Sequence, residues 1–143
     1  MKKIAIFFLI VIIIISTIAY LYLNYKAVYN NAKKENEKIR ISVEQEIQGI
    51  ELTTLINQVI DTNEKNEVEK DNKGNYIDNN KNSINLAIQF IDNDVIYNIE
   101  KIYKAGTNTF LSYYRNITFK CKEIQYHKST GQIKYMKFEQ ITQ

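Results

Sequence analysis

The chain reads as an α+β protein. An N-terminal transmembrane helix continues into an amphipathic stalk helix, followed by a small domain with an antiparallel sheet of at least three strands covered by one or two helices. Three observations predict this. Residues 4–23 are apolar and uncharged. Residues 52–60 carry apolar side chains at helical spacing. Residues 84–90 and 117–138 carry them at alternate positions. The expected layout is a cytoplasmic N-terminus at 1–3, a signal-anchor helix at 4–23, a stalk at 24–48 and an extracytoplasmic domain at 49–143, with an exposed loop at 62–82.

The first element is the run KKIAIFFLIVIIIISTIAYLYLNYK, Lys2 to Lys26. At about 1.5 Å of rise per residue, positions 4–23 make a helix of roughly 30 Å, the thickness of a bilayer's hydrocarbon layer. Ile12 to Ile15 put β-branched side chains on every face, whereas a core helix of a small soluble domain shows a polar edge. Ser16 and Thr17 oppose insertion only weakly, because their hydroxyls can bond carbonyls one turn back. The run is longer than the apolar region of a cleaved export signal, about 7–15 residues, and it exits without a small-residue cleavage motif. An uncleaved anchor is the expectation. Tyr20, Tyr22 and Tyr25, followed by Lys26, stand where an interfacial aromatic belt and its cation belong. Lys33, Lys34, Lys38 and Arg40 follow, drawn to anionic head groups. Counting basic residues favours the C-terminal side as the inner one, but that rule holds chiefly for short flanks, a long segment can translocate regardless, and a start of Met-Lys-Lys is typical of an N-terminus held inside. The C-terminal domain is therefore expected outside the plasma membrane. The Ile- and Asn-rich composition, lacking Pro and Trp, resembles that of a low-GC bacterium.

In the stalk, Ile39, Val43, Ile47 and Ile50 recur at i, i+4, i+8 and i+11, a narrow stripe that either docks on the chain's own domain or packs against another subunit. Gly49 interrupts that helix. Leu52, Leu55, Ile56, Val59 and Ile60 then form the clearest amphipathic helix, expected to lie on a sheet. The segment 62–82 is rich in Asn, Asp, Lys and Gly and reads as an exposed loop. Its spacing does not match a calcium-binding loop, which needs a D-x-[DN]-x-[DN]-G series and a glutamate at position twelve. Ile84, Leu86, Ile88 and Phe90 alternate as a half-buried strand. Asp94 is placed to cap a short helix with Val95, Ile99, Ile102 and Tyr103 inward, ended by a left-handed cap at Ala105-Gly106. TNTFLSYYRN fits a helical turn or an edge strand. The last segment reads as a hairpin. Ile117, Phe119 and Cys121 share one face before the phase shifts to Ile124, which predicts a β-bulge at Lys122-Glu123. HKSTG supplies the turn, and Met136 and Phe138 return opposite Ile133 and Tyr135.

No catalytic, cofactor-binding or metal site is expected. The net charge is +3 overall and +1 once Lys2 and Lys3 are set aside, which gives no basic face for nucleic acid. His127 and Cys121, the one histidine and the one cysteine, lie about 20 Å apart along an extended strand, too far for a nucleophile–base pair and too few for zinc. Glu123 and Glu139 could face each other as a carboxylate pair, but alternation with Lys120, Lys122 and Lys137 suits an outer charge ladder better. Phosphate-binding glycine loops are absent from the sequence. What remains is surface. Tyrosine is enriched at protein interfaces, and of the adjacent pair Tyr113-Tyr114 one member must point outward if the segment is a strand.

The apolar helix, stalk and α+β head, with GIELTTLI leading into SINLAIQF, resemble small pilin-like proteins and pseudopilins of Gram-positive tight-adherence systems. The likeness covers about residues 1–91. It departs at MKKIAIFFLI, which has neither the leader-peptidase site nor the intramembrane glutamate of that family. The resemblance implies a non-enzymatic structural or adaptor subunit of a bacterial surface or secretion assembly, with the lipid bilayer and other membrane or surface-assembly proteins as partners. The alternative is a membrane-tethered ligand-binding or sensing domain, with an apolar pocket between the 51–61 helix and the sheet.

Overall fold

The computed structural model describes residues 2–92 and 95–141. It divides into two compact units, Met1–Glu35 and Asn36–Gln143. The first unit consists of α1 (Lys2–Glu44) up to Glu35. Within it, Lys3–Ala27 contains an 18-residue stretch of mean hydropathy 3.0, none of whose residues is buried in the protein. Its 25 residues rise about 38 Å, so this helix is long and apolar enough to cross a membrane. Thr17 donates its hydroxyl to the Ile13 carbonyl at 2.8 Å, which satisfies inside the helix a group that hydrocarbon could not.

The second unit starts at Asn36, ahead of the boundary expected at 49, because the last turns of α1 pack into its core. Ile39 is wholly buried, and the Asn36 side-chain oxygen accepts the Ile133 N–H at 2.9 Å. The helix expected to run to 48 stops at Glu44. Residues Glu46–Gln48 instead form β1, antiparallel to β4 (Thr118–Tyr126), with Ile47 opposite Phe119. Strand pairing satisfies the outer backbone groups of β4 and delivers Ile47 to the core from the sheet edge.

Then follow α2 (Gly49–Lys65), β2 (Asn85–Gln89), β3 (Ile96–Asn98), α3 (Ile99–Ala105), α4 (Thr107–Tyr114), β4 and β5 (Ile133–Gln140). The sheet order is β1-β4-β5-β2-β3, antiparallel throughout except for the parallel pair β2–β5. Gly49 opens α2 where a side chain does not fit. A Cβ there would stand 1.8 Å from the Tyr114 carbonyl oxygen. The capping geometry is reinforced by Glu51, whose carboxylate accepts the Gln48 N–H at 2.8 Å.

One face of the sheet carries Phe119, Phe138, Met136, Leu86 and Ile88 against Leu52, Leu55, Ile56 and Val59 of α2, all between 0 and 2% exposed. Each such burial contributes roughly 1.5–3 kcal/mol. The opposite face carries the charge ladder, with Lys120 opposite Glu139 and Glu123 opposite Lys137. The bulge at Lys122 is present, as the phase slip predicts. A second register shift makes Lys134 the extra residue on β5 and turns Ile133 inward beside Met136. Ile133 therefore shares the core face rather than opposing it.

The expected helix from 95 is divided. Residues 96–98 pair with β2 as an edge strand, and only Ile99 and Ile102 point into the core, while Val95 and Tyr103 are exposed. The expected cap at Asp94 lies outside the described residues. Gly106 ends α3 with φ +94° and ψ 123°, a positive-φ but extended conformation instead of a left-handed cap. The segment 62–82 is structured at its ends and middle. Asn63 is buried and exchanges both amide hydrogen bonds with the Ile84 backbone at 2.8 Å. Tyr76 is buried, with its N–H donated to Glu100 and its hydroxyl to Glu64.

Candidate interaction surface

Phe90, just past β2, joins aromatic residues of β3, α4 and β4 in one cluster. Phe90 stacks on Tyr114 at 4.5 Å between centroids and meets Tyr97 edge-on at 5.4 Å, while Phe110 lies 5.2 Å from Tyr114. These spacings are those at which aromatic pairs attract beyond simple burial. Helix α4 is set against the start of α2 by backbone bonds, Gly49 N–H to Ile117 and Ile50 N–H to Arg115. This fixes which α4 side chains face outward.

TNTFLSYYRN therefore resolves as a helix, and Tyr113 and Tyr114 diverge. Tyr114 is half-buried in the cluster, and its hydroxyl is pushed above the usual tyrosine range, first by burial and then by the nearby Asp92 charge. Tyr113 is 75% exposed. Both line a shallow groove of about 180 Å³ between α3 and α4, together with Tyr97, Ile102, Gly106 and Phe110. The groove is lined almost wholly by apolar atoms. Lys101 borders it, its ammonium 4.5 Å from the centre of the Tyr97 ring. A volume below the ~300 Å³ of small-molecule pockets suits one inserted side chain better than a whole ligand.

The other sequence-derived candidates are placed differently. Ile39 and Ile47 are buried within their own unit, and Val43 is half-buried against the same core. That stripe is an internal contact of Asn36–Gln143, and Ile50, at its end, is exposed. Tyr20, Tyr22 and Tyr25 are 62–68% exposed on α1, and Tyr25 stacks on Tyr29 at 6.4 Å. The groove signal was partly visible in the tyrosine content. The place of Phe90 at the centre of the adjoining aromatic cluster was not, because it depends on rings from Tyr97, Phe110, Tyr114 and Phe119 that only the fold brings together.

Among the acids, Lys137 pairs with Glu139 at 2.7 Å, and Glu123 accepts from the Gln125 amide at 2.8 Å. Burial pushes the Cys121 thiol up, away from the thiolate that nucleophilic chemistry needs. The ring of His127 is held by its Nε2 on the Ser83 carbonyl at 2.7 Å. Among the described residues no cluster of three His, Cys, Asp or Glu could hold a metal ion. The face of α2 toward the sheet is filled by side chains; the α3–α4 groove, and a second cavity lined by Asn80, His127 and Lys134, lie elsewhere. No family model, curated protein or solved structure matches this chain.

Proposed function

We propose that the chain is a single-pass, membrane-anchored subunit of a bacterial surface or secretion assembly, acting as a structural or adaptor part rather than an enzyme. The observation that carries this reading is the fully unburied apolar stretch Lys3–Ala27 on a chain that also offers an apolar, tyrosine-lined groove. Unburied apolar surface on this scale needs lipid or another protein. A groove sized for one side chain is the usual form of an interface anchor point. The pilin-like layout supports the same reading, with lateral contact assigned to the α3–α4 groove because Ile39 and Ile47 are already buried. The plasma membrane is the proposed location, with Asn36–Gln143 outside.

The test is a photoactivatable residue at position 113 in the full-length protein, irradiated in intact bacterial membranes. Covalent adducts to a discrete neighbour are expected, and they should disappear when Ala105→Arg closes the groove. A chain that remains uncrosslinked and monomeric would contradict the assembly role. Protease cleavage at 69–77 in spheroplasts is expected for an outward domain, and protection there would reverse the orientation.

A further inference from the structure

The turn between β4 and β5 is clasped to the loop at 78–83 by three side-chain hydrogen bonds to backbone carbonyls. Ser129 donates to Asn80 at 2.8 Å, Thr130 to Lys81 at 2.7 Å, and His127 Nε2 to Ser83 at 2.7 Å. Two backbone bonds close the turn itself, His127 N–H to Gln132 and Gly131 N–H to His127, both at 2.8 Å. Ser129 and Thr130 are exposed, so their bonds compete with water. His127 is 2% exposed, and its bond is the one that water does not reach.

A carbonyl only accepts, so the ring proton of His127 resides on Nε2 and Nδ1 carries a lone pair. Nδ1 is sealed from solvent and has no hydrogen-bond partner among the described residues. In the neutral ring this is one unpaired acceptor. A proton on Nδ1 adds a charge and a second N–H donor with nothing to receive it, and an unpaired buried charge costs far more than a neutral polar atom. The surrounding charges do not offset that cost. Lys128 and the uncharged phenol of Tyr126 stand beside the ring on its own segment, and Lys134 stands on β5. The clasped loop brings Lys81 and Asp78, the latter held by Lys134. The end of α1 meets β5 through Asn36, and its charges there, Glu37, Lys38, Arg40 and Glu44, cancel. Helix α2 meets the loop through the neutral amides of Asn63 and Asn66. Lysines therefore outnumber carboxylates around the ring.

We propose that His127 is an acid-sensitive latch. With a neutral imidazole, the loop at 78–83 is fastened to the β4–β5 turn. Proton uptake at Nδ1 requires the ring to leave its sealed seat, which breaks the Ser83 bond and frees the loop. The clasp favours the neutral ring, so its hold is present above about pH 6.5, where a free imidazole loses its proton, and weakens as pH falls below that. Carboxylates titrate about two units lower, so acid effects from Asp78 and its like fall in a separate range. The latch lies wholly within Asn36–Gln143 and does not depend on the assembly reading.

The single histidine makes the test direct. The full-length protein in detergent micelles is followed from about pH 7.5 to about pH 5 by two readings, the ¹⁵N resonances of the imidazole and the hydrogen-exchange protection of backbone amides. At the upper pH, Nε2 is expected protonated and Nδ1 bare. As Nδ1 takes up its proton, protection at the N–H groups of Ser83, His127 and Gly131, corrected for the intrinsic pH dependence of exchange, should fall about tenfold per pH unit. Ile88 and Phe138, in interior strands, should keep theirs. His127→Gln, which retains a donor toward Ser83 and cannot titrate, should abolish the acid response. Should that variant fail to form the turn, the paired readings on the unaltered chain decide alone. A ring that takes its proton with protection retained, or stays neutral throughout, would overturn the proposal. So would equal losses at Ile88 and Phe138, or an acid response that survives in a folded His127→Gln.

Discussion

In Lys3–Ala27 of α1 the isoleucines and phenylalanines are 50–63% exposed, whereas Leu52, Leu55, Ile56 and Val59 of α2 are 0–2% exposed. The side chains are of the same kind, but their arrangement differs. In α2 they occupy one face, with Asp61, Glu64 and Lys65 elsewhere, so a single sheet surface can cover them. In α1 they surround the axis, and no single protein face of a small unit can cover a helix that is apolar all round. The period of the apolar residues, more than their number, decides whether a helix joins a core or needs another apolar solvent.

That comparison can be broken in several ways. The largest effect is expected inside the sheet. Phe138→Ala should destabilise Asn36–Gln143 by about 3–5 kcal/mol in denaturant unfolding, while Phe8→Ala leaves the same transition unmoved. Next, Ile13→Arg should oppose membrane insertion by about 3 kcal/mol, read as a shift of chain from the membrane to the soluble fraction without a change in the unfolding midpoint. If that variant instead unfolds the second unit, the helix has a protein partner there.

Asn63→Ala removes both partners of the buried Ile84 backbone and should cost about 2 kcal/mol. This tests whether the 62–82 segment is held by its polar ends. The pH limits of stability sharpen the same point. Tyr76 is pushed up to about 12, first by burial and then by its bond to Glu64. Its neutral form is favoured in the fold, so that stability is complete below the ordinary tyrosine pKa, about 10, and is lost as pH rises toward 12. Tyr76→Phe should flatten this alkaline loss in pH-dependent unfolding. At the other limit, Lys134 holds the Asp78 carboxyl below its usual range, so its contribution is present above about pH 4 and lost on further acidification. Asp78→Asn should remove that acid limb. The smallest effect is expected at Tyr113→Ala, within about 0.5 kcal/mol in unfolding, because the ring is exposed.

Periodicity made the anchor helix, α2, β2 and the final hairpin legible in the sequence, including the bulge at Lys122, where Ile124 slips out of phase with Cys121. Three-residue strands carry no usable period, so in the sequence β1 and β3 merge with the helical patterns beside them. Their conformation is set by the edges of β4 and β2, not by their own residues. The second register shift at Lys134 was hidden for a related reason. Ile133 and Tyr135 alternate normally, and only the pairing of Ile133 with Tyr126 shows that the strand rotates. Of the candidate surface, Tyr113 and Tyr114 were visible as an unusual adjacent pair, but the groove required α4 to be a helix. The His127 clasp was invisible, because it depends on a contact between His127 and Ser83, residues from separate loops.

The central claim is that Lys3–Ala27 stays in the mature chain and holds it in lipid. Alkaline extraction of bacterial membranes, followed by sedimentation and mass measurement of the chain, tests it directly. The account predicts an intact polypeptide retained with the lipid pellet. A soluble form beginning beyond Ala27 would contradict it.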